Sequence, residues 1–441
     1  MKARSASMSM AVDSNDLQSA LAEKGLAISI SPEKGRCLIA KRSFTRGEIV
    51  LLQDPYVSVL DSASVNKRCD VCFRLCTNLK RCSVCKTTWY CGGTCQRNGW
   101  RLHQHECKAI TSLKEEKQQT PTPSLQLMLR LLIKRKLQNA GFSCNAHTIC
   151  DSELRPMGTG LYPVISIINH SCFPNAVLLF EGRQAVVRAV EPIREGSELT
   201  VSYIEIAAST ASRKKSLKEQ YFFDCKCLRC LKVDTPDGLH EDAILEGFRC
   251  SSDHCEGFLL HDPDDAQSLV CQLCGCGRNE EETKKQARKV DKLGKEASKL
   301  LSSGNYSEAR SLYEQIQQLQ TQLWHPYSVI LLRTGDTLLK ICMELYDWKQ
   351  ALKYCRLTIP AYERAYPTCH PMMGLQYYAC GKLEWFLENT LEALNFFEKA
   401  AKILTVTHGR NSEFLTQLFD RIQEAHAEAA HLRPRYDDNE D

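Results

Sequence analysis

Asn169-His170-Ser171-Cys172-Phe173-Pro174-Asn175 is the stretch on which the reading of this chain turns. It is polar and turn-rich, and it follows an apolar run at 164–168. Shortly after it comes Gly196-Ser197-Glu198-Leu199-Thr200-Val201-Ser202-Tyr203, which reads as a strand ending on a tyrosine. A third segment runs Tyr221-Phe222-Phe223-Asp224-Cys225-Lys226-Cys227-Leu228-Arg229-Cys230. Three cysteines at this spacing lack the fourth ligand that a tetrahedral zinc needs, and Cys172 can supply it. A zinc held by Cys172, Cys225, Cys227 and Cys230 would clip the later segment over the Asn169-His170 loop.

Moving upstream, residues 24–60 read as short strands and turns, with Lys34-Gly35 and Arg46-Gly47-Glu48 as the turns. A Cys/His cluster follows at 69–107. Its ligands come in four pairs: Cys69 and Cys72, Cys82 and Cys85, Cys91 and Cys95, His103 and Cys107. Pairs in this order suit two zinc ions in a cross-brace. Cys69, Cys72, Cys91 and Cys95 would hold one, and Cys82, Cys85, His103 and Cys107 the other. His105 competes with His103, but the spacing of His103 and Cys107 points both to one helix face. Cys76 is left over. So small a module has little apolar core, so zinc would supply its folding energy.

Moving downstream, Cys250, Cys255, Cys271 and Cys274 flank Gly257-Phe258-Leu259-Leu260 and suit a zinc ribbon. His254 and Cys276 are alternative ligands, and plain reduced thiols are the alternative to a metal. From 281 to 430 the pattern is helical and repeats. Glu308-Ala309, Gln350-Ala351 and Glu392-Ala393 recur at an interval of 42 residues. Each follows a turn-like stretch and precedes bulky residues (Leu312-Tyr313, Tyr354, Phe396-Phe397). Small residues with aromatics a turn later suit stacked helical hairpins of tetratricopeptide type, with a period longer than the usual ~34 residues.

Composition bounds the remaining classes. The 441 residues allow several domains, and 43% hydrophobic with 25% charged residues excludes global disorder. No run approaches the ~18 apolar residues of a membrane helix. With 57 basic against 53 acidic residues, bulk nucleic-acid binding is not expected. The 24 cysteines follow no apolar secretory run in residues 1–12, so a reducing compartment and metal ligation are expected in place of disulfides. The basic runs Lys134-Arg135-Lys136 and Arg213-Lys214-Lys215 read as solvated helix faces.

The finger cysteines, with Trp89-Tyr90-Cys91, Cys95-Gln96 and Trp100 interleaved, resemble a MYND zinc finger. The three segments around Asn169, Tyr203 and Cys225 resemble a SET domain with its post-SET zinc clip. Together with the helical repeats they make the chain similar to the SET-and-MYND protein-lysine methyltransferases, as a plant-like or other eukaryotic member. The resemblance implies an α+β multidomain fold with a β-rich SET core and an all-α C-terminal array. The expected divisions are 24–68 (first part of SET), 69–107 (finger), 108–140 (linker and helical insertion) and 141–204 (SET core). Then come 205–233 (post-SET clip), 245–277 (ribbon) and 281–430 (repeats).

The resemblance also implies an S-adenosylmethionine-dependent transfer of methyl groups to histone or other protein lysines. Lys34, Gly35 and Arg36 would line the cofactor turn. Asn169 and His170 would bind the cofactor through side chains and backbone, with Ser166 and Asn145 alongside. Phe223 would stack on the adenine. Tyr203 would stand where the methyl is passed, and Tyr221 would wall the lysine channel. Three zinc ions are expected, with the ribbon as an open fourth. A proline-rich peptide is the expected ligand of the finger. A monomeric chromatin regulator in nucleus and cytoplasm is implied.

Two features depart from the family pattern. Cys37 stands where a second glycine is usual. Only 37 residues, 108–144, separate the finger from Asn145, where relatives carry a longer helical insertion that walls the substrate cleft. Weak cofactor binding is therefore expected. The competing reading is a catalytically weak or inactive adaptor that binds partners through finger and repeats.

Overall fold

The computed structural model describes residues 14–112, 121–138, 146–252, 254–262 and 268–432. The chain divides into two compact units: 1–169 with 174–201, and 170–173 with 202–441.

The first unit is built from short antiparallel sheets. Leu26–Ser31 pairs with Gly35–Ala40, placing Ile28 opposite Leu38 and Ser29 opposite Cys37. The loop between them is the turn that carries Lys34. Leu26 and Leu38 are fully buried, which fixes the register by putting one face of the hairpin in the core. Cys37 is buried too, and its thiol donates to the Ser29 carbonyl. A second sheet has the order Ala176–Glu181, Gln184–Ala189, Ile49–Gln53. Its middle strand is buried almost throughout, as a central strand of apolar residues should be. The hairpin between the first two turns at Gly182, at φ +61°. A Cβ there would sit 2.6 Å from the Cys72 carbonyl oxygen, so only glycine lets the finger backbone approach. A third sheet has the order Val57–Leu60, Pro156–Leu161, Ala146–Cys150.

The finger contributes a small hairpin, Lys80–Arg81 with Trp89–Tyr90, and the helix Gly93–Thr111. The helix of the 108–140 segment is Pro123–Gln138. Leu127 and Leu131 pack against Tyr56, Val57 and Leu161, while Leu125, Met128 and Leu132 on the remaining surface are exposed. Lys134, read from sequence as solvated, donates to the Tyr56 carbonyl and lies 4.5 Å above the Tyr56 ring. Burial pulls its ammonium down to about 8.

The second unit opens with helices Thr210–Tyr221, Leu228–Leu231 and Pro236–Glu246. The first and third begin on N-caps, Ser209 and Thr235, whose hydroxyls accept backbone N–H groups. A three-stranded ribbon follows, Leu259–His261, Ser268–Cys271, Gly277–Asn279.

The array then runs as helical hairpins. Glu280–Ser302 precedes Tyr306–Leu323, Val329–Glu344 precedes Trp348–Ala365, and Pro371–Phe386 precedes Thr390–Leu404. Glu413–Leu432 closes it. The Glu/Gln-Ala pairs lie in the first turn of each second helix, and Ala309, Ala351 and Ala393 are all 0% exposed. At that point a larger side chain has no room between helices, which explains the repeated alanine. Each hairpin corner holds one left-handed residue: Gly304, Tyr346 and Glu388, at φ +79°, +58° and +63°. Tyr346 and Glu388 carry that conformation without glycine's freedom.

Among the described residues no helix is long and apolar enough to cross a membrane.

Candidate functional site: zinc centres, a polar edge and an aromatic cluster

The finger brings its eight ligand candidates together as two quartets. Cys69, Cys72, Cys91 and Cys95 have ligand atoms within 4.8 Å of one another, and so do Cys82, Cys85, His103 and Cys107. Cys72 and Cys91 sulfurs are 3.8 Å apart, and Cys82 and Cys107 sulfurs 4.0 Å. Zinc–sulfur bonds of ~2.3 Å at a tetrahedral angle put ligands ~3.8 Å apart, so the quartets suit that ion. His103 presents Nε2 to Cys85 Sγ at 3.5 Å and Nδ1 to Glu106 at 3.0 Å. A carboxylate behind Nδ1 fixes the tautomer that leaves Nε2 free for a metal.

Sequence reading missed the residues that hold Glu106. Arg130 Nε donates to its Oε1 at 3.0 Å, Gln126 Nε2 donates to the same oxygen at 2.9 Å, and Arg130 Nη1 donates to the Ser58 carbonyl at 2.6 Å. Burial works against the Glu106 charge, but Arg130, His103 and Gln126 outweigh it and hold the carboxyl at about 2.

Still in the first unit, a polar edge forms beside the Gly35–Ala40 strand. Glu198 accepts from Lys34 Nζ at 2.7 Å and from Asn169 Nδ2 at 2.8 Å. Asn169 Nδ2 also lies 3.3 Å from the Arg36 carbonyl. Lys34, Arg36 and Asn169 are thus brought together, and Glu198, unassigned from sequence, joins them. Gly35 has open space around its α-carbon. Ser166 lies apart in the 3-10 turn Ile165–Ile167, where it donates to the Tyr162 carbonyl and meets His147 Nε2 at 3.3 Å. Burial pulls His147 down to about 4, so it stands neutral at pH 7. Asn145 lies outside the described residues.

The second unit assembles the remaining candidates. Cys172, Cys225, Cys227 and Cys230 form a quartet within 4.8 Å, with Cys172 and Cys230 sulfurs 3.5 Å apart. Arg213, read from sequence as solvated, is 1% exposed. It donates to Thr210 and the Ala208 carbonyl and lies 3.9 Å from Cys230 Sγ. Four thiolates around a dication would form a net negative centre, and this buried guanidinium is placed to offset it.

His170 joins that quartet to the tyrosine. Its Nδ1 accepts the Tyr203 backbone N–H at 3.0 Å, so Nε2 carries the proton and points it at Cys172 Sγ, 3.2 Å away. Both ring nitrogens are therefore engaged within the protein. Tyr203 packs on Tyr221 at 4.9 Å between ring centroids and on His170 at 5.4 Å, and Phe223 lies 6.1 Å from His170. The Tyr221 hydroxyl donates to the Tyr203 carbonyl. Helix Thr210–Tyr221 ends on Phe222 in the left-handed conformation, φ +61°. That turn sends the chain from Tyr221 back to Phe223.

The ribbon quartet also forms. Cys250, Cys255, Cys271 and Cys274 have sulfurs within 4.8 Å of one another.

One cysteine quartet thus meets the bend that anchors Tyr203, through His170. The family model of the SET domain matches residues 35–204. The chain is 44% identical to the histone-lysine N-methyltransferase ASHR1 of Arabidopsis thaliana, over 94% of this chain and 98% of that protein. It is 26% identical to the N-lysine methyltransferase SMYD2 of Mus musculus, over 91% and 99%. Against human SMYD2 it is 25% identical, over 90% and 98%. The chain belongs to the SET-and-MYND family of protein-lysine methyltransferases. The alignment with the Arabidopsis protein spans 474 positions, more than the 441 residues of this chain. That relative therefore carries residues with no counterpart here.

Proposed function

We propose that this chain methylates lysines of histones or other proteins with S-adenosylmethionine as donor. The observation that carries the reading is the link from Cys172 through His170 to Tyr203, which sets a tyrosine ring on a metal-stapled support. The donor set fits the cofactor. Its amino-acid end needs one cation and one anion, and Lys34 with Glu198 offers both, with the Asn169 amide beside them. When bound, S-adenosylmethionine supplies a methyl group on a cationic sulfur.

The chain's own residues do the rest. Tyr203, Tyr221 and His170 present clustered ring faces, which favour a cation over water. The same apolar faces desolvate a lysine side chain and pull its ammonium toward the neutral amine. The amine lone pair is then the nucleophile in a direct displacement, so the residues need only align it. His170 acts as a positioning residue, because it fixes the backbone from which the Tyr203 ring projects. Phe223 is assigned to the adenine. The finger quartets and the clip at Cys172 are assigned zinc.

Methyl incorporation into mixed histones, followed with radiolabelled donor, tests this. Removing one well-placed polar group from such a site costs about 10²-fold, which is the loss expected for Tyr203→Phe. His170→Ala should lose activity as well. Equal incorporation by wild type and both variants would remove these residues from the mechanism.

One observation favours the weaker-enzyme reading. Leu125, Met128 and Leu132 stand exposed on the helix Pro123–Gln138, at the place where the sequence is short. An exposed leucine stripe is what a missing packing partner leaves behind. Calorimetric titration with S-adenosylmethionine is expected to give an affinity weaker than low micromolar. A proline-rich peptide is assigned to the finger, supported by its exposed Val84 and Trp100. Nucleus and cytoplasm are the assigned locations, from the family and from cysteines that gather in metal-type quartets.

A further inference from the structure

The ribbon at 248–279 has almost no core of its own. Its buried cluster is Cys250, Cys255, Leu259, Leu269 and Cys271, with Phe248 packed against it. Two aliphatic side chains cannot hold three strands, so another source of folding energy is required. The sulfurs are arranged to provide one. Cys250 and Cys274 sulfurs are 3.5 Å apart, and Cys255 and Cys271 sulfurs 3.6 Å. Disulfide sulfurs lie ~2.05 Å apart, so these pairs are not bonded. They sit close to the ~3.8 Å edge of a tetrahedral zinc–thiolate site.

Two further features match thiolates. The backbone N–H groups of Ser252, Gly257 and Leu273 point at the sulfurs of Cys250, Cys255 and Cys271, each at 3.4 Å. Each donor lies two residues after its cysteine, and such bonds favour the charged sulfur. Gly257 stands against the cluster: a Cβ there would lie 2.5 Å from Cys271 Sγ and 3.2 Å from Cys255 Sγ. The backbone thus closes around the sulfurs with no space for a side chain.

We propose that Cys250, Cys255, Cys271 and Cys274 hold a structural zinc ion, and that the ribbon it folds is the end cap of the helical array. All-sulfur tetrahedral sites select zinc over harder ions. The capping role follows from the ribbon's contacts. Arg249 N–H donates to the Leu323 carbonyl at 2.9 Å, and its Nη1 to the Thr321 carbonyl at 3.0 Å. Arg278 Nη1 reaches the Gln322 carbonyl at 3.4 Å. These are the terminal carbonyls of helix Tyr306–Leu323, which have no partners within the helix. Phe248 packs on Trp324 with ring centroids 5.7 Å apart. At the other end, Asn279 closes the last strand and N-caps Glu280–Ser302 by accepting the Glu282 N–H. Stacked repeats need such a terminal unit to cover the face that has no neighbour.

The full-length wild-type protein provides a test that needs no variant. Cys274 and Cys276 are both exposed. In the proposed site Cys274 is a ligand and Cys276 is a free thiol. Brief alkylation of the native protein followed by peptide mass mapping should modify Cys276 and spare Cys274, and chelation should remove the difference. Equal modification of the two before chelation would overturn the assignment. Elemental analysis of the folded protein gives a second readout. Cys255→Ser should lose about one zinc per chain and melt its array earlier, while Cys276→Ser should match wild type. Wild-type zinc content in Cys255→Ser, or iron in place of zinc, would also overturn it.

Discussion

Arg130→Met removes a cation that faces two buried carboxylates in the first unit. Glu106 is 1% exposed and Asp70 6%. Arg130 lies 3.0 Å from the first through Nε and 3.8 Å from the second through Nη2. Methionine matches the stem in volume, so little packing is lost, and the effect is electrostatic. Stripping the partner from a buried ion pair costs about 3–5 kcal/mol. A second cost falls on the metal. Glu106 orients His103, and loosening such a supporting carboxylate weakens zinc by about 10–100-fold. We expect the second finger zinc to leave at a correspondingly lower chelator concentration, with a fall in thermal stability. Arg130→Lys should lie between, because it keeps the charge but loses the fork that spans Glu106 and Ser58. Chelator competition on the full chain, read as released zinc, is the assay. A wild-type chelator midpoint in Arg130→Met would refute the argument that this guanidinium supports the finger.

Other outcomes can be checked more briefly. Glu388→Gly should stabilise the array by about 0.5–1 kcal/mol, because Glu388 is an exposed side chain in a left-handed corner. A lower melting temperature in that variant would show that the side chain has a role there. Ala351→Leu should cost about 1–3 kcal/mol, since Ala351 has no exposed surface and its neighbours must move. His370 stacks on Tyr366 at 4.5 Å between centroids, and burial pulls it down to about 4 from the usual range near 6.5. Its folded form resists protonation, so its contribution is full above pH ~6.5 and is lost as pH falls toward 4, at most about 3 kcal/mol. His370→Asn keeps an N-cap acceptor and should flatten that part of the pH dependence of melting. Identical pH slopes in the two proteins would count against it.

The parts legible in the sequence are those where one residue type at fixed spacing has one physical use. Cysteine pairs announce tetrahedral metal centres: spacing groups the finger and ribbon quartets, with His105, His254 and Cys276 as competing ligands, while Cys172 enters the clip as the fourth ligand that Cys225, Cys227 and Cys230 lack. The recurring Glu/Gln-Ala pairs likewise mark helix crossings where only a small side chain fits. What stayed hidden depends on contacts between residues far apart in the chain. Arg130 meets Glu106 only because the helix after the finger packs back on strand Val57–Leu60. Arg213 and Lys134 looked like members of ordinary basic runs, and nothing local marks one residue in three as buried. Glu198 lay within a quoted segment, yet its pairing with Lys34 spans 164 residues. The helix Ser14–Ala22 was not anticipated either, as its pattern is short and weakly apolar.

The equal spacing of the corners at 304, 346 and 388 gives the array a modular seam. Cutting after Tyr346 and rejoining at Asn389 removes one full period and still presents a helix-starting residue, since Asn389 occupies the place that Asp347 holds. Such an excision would shorten the array by two helices while keeping its final helix. The one packing surface such a shortened array has to supply anew is that between helices Val329–Glu344 and Thr390–Leu404, whose present partners are the two helices removed.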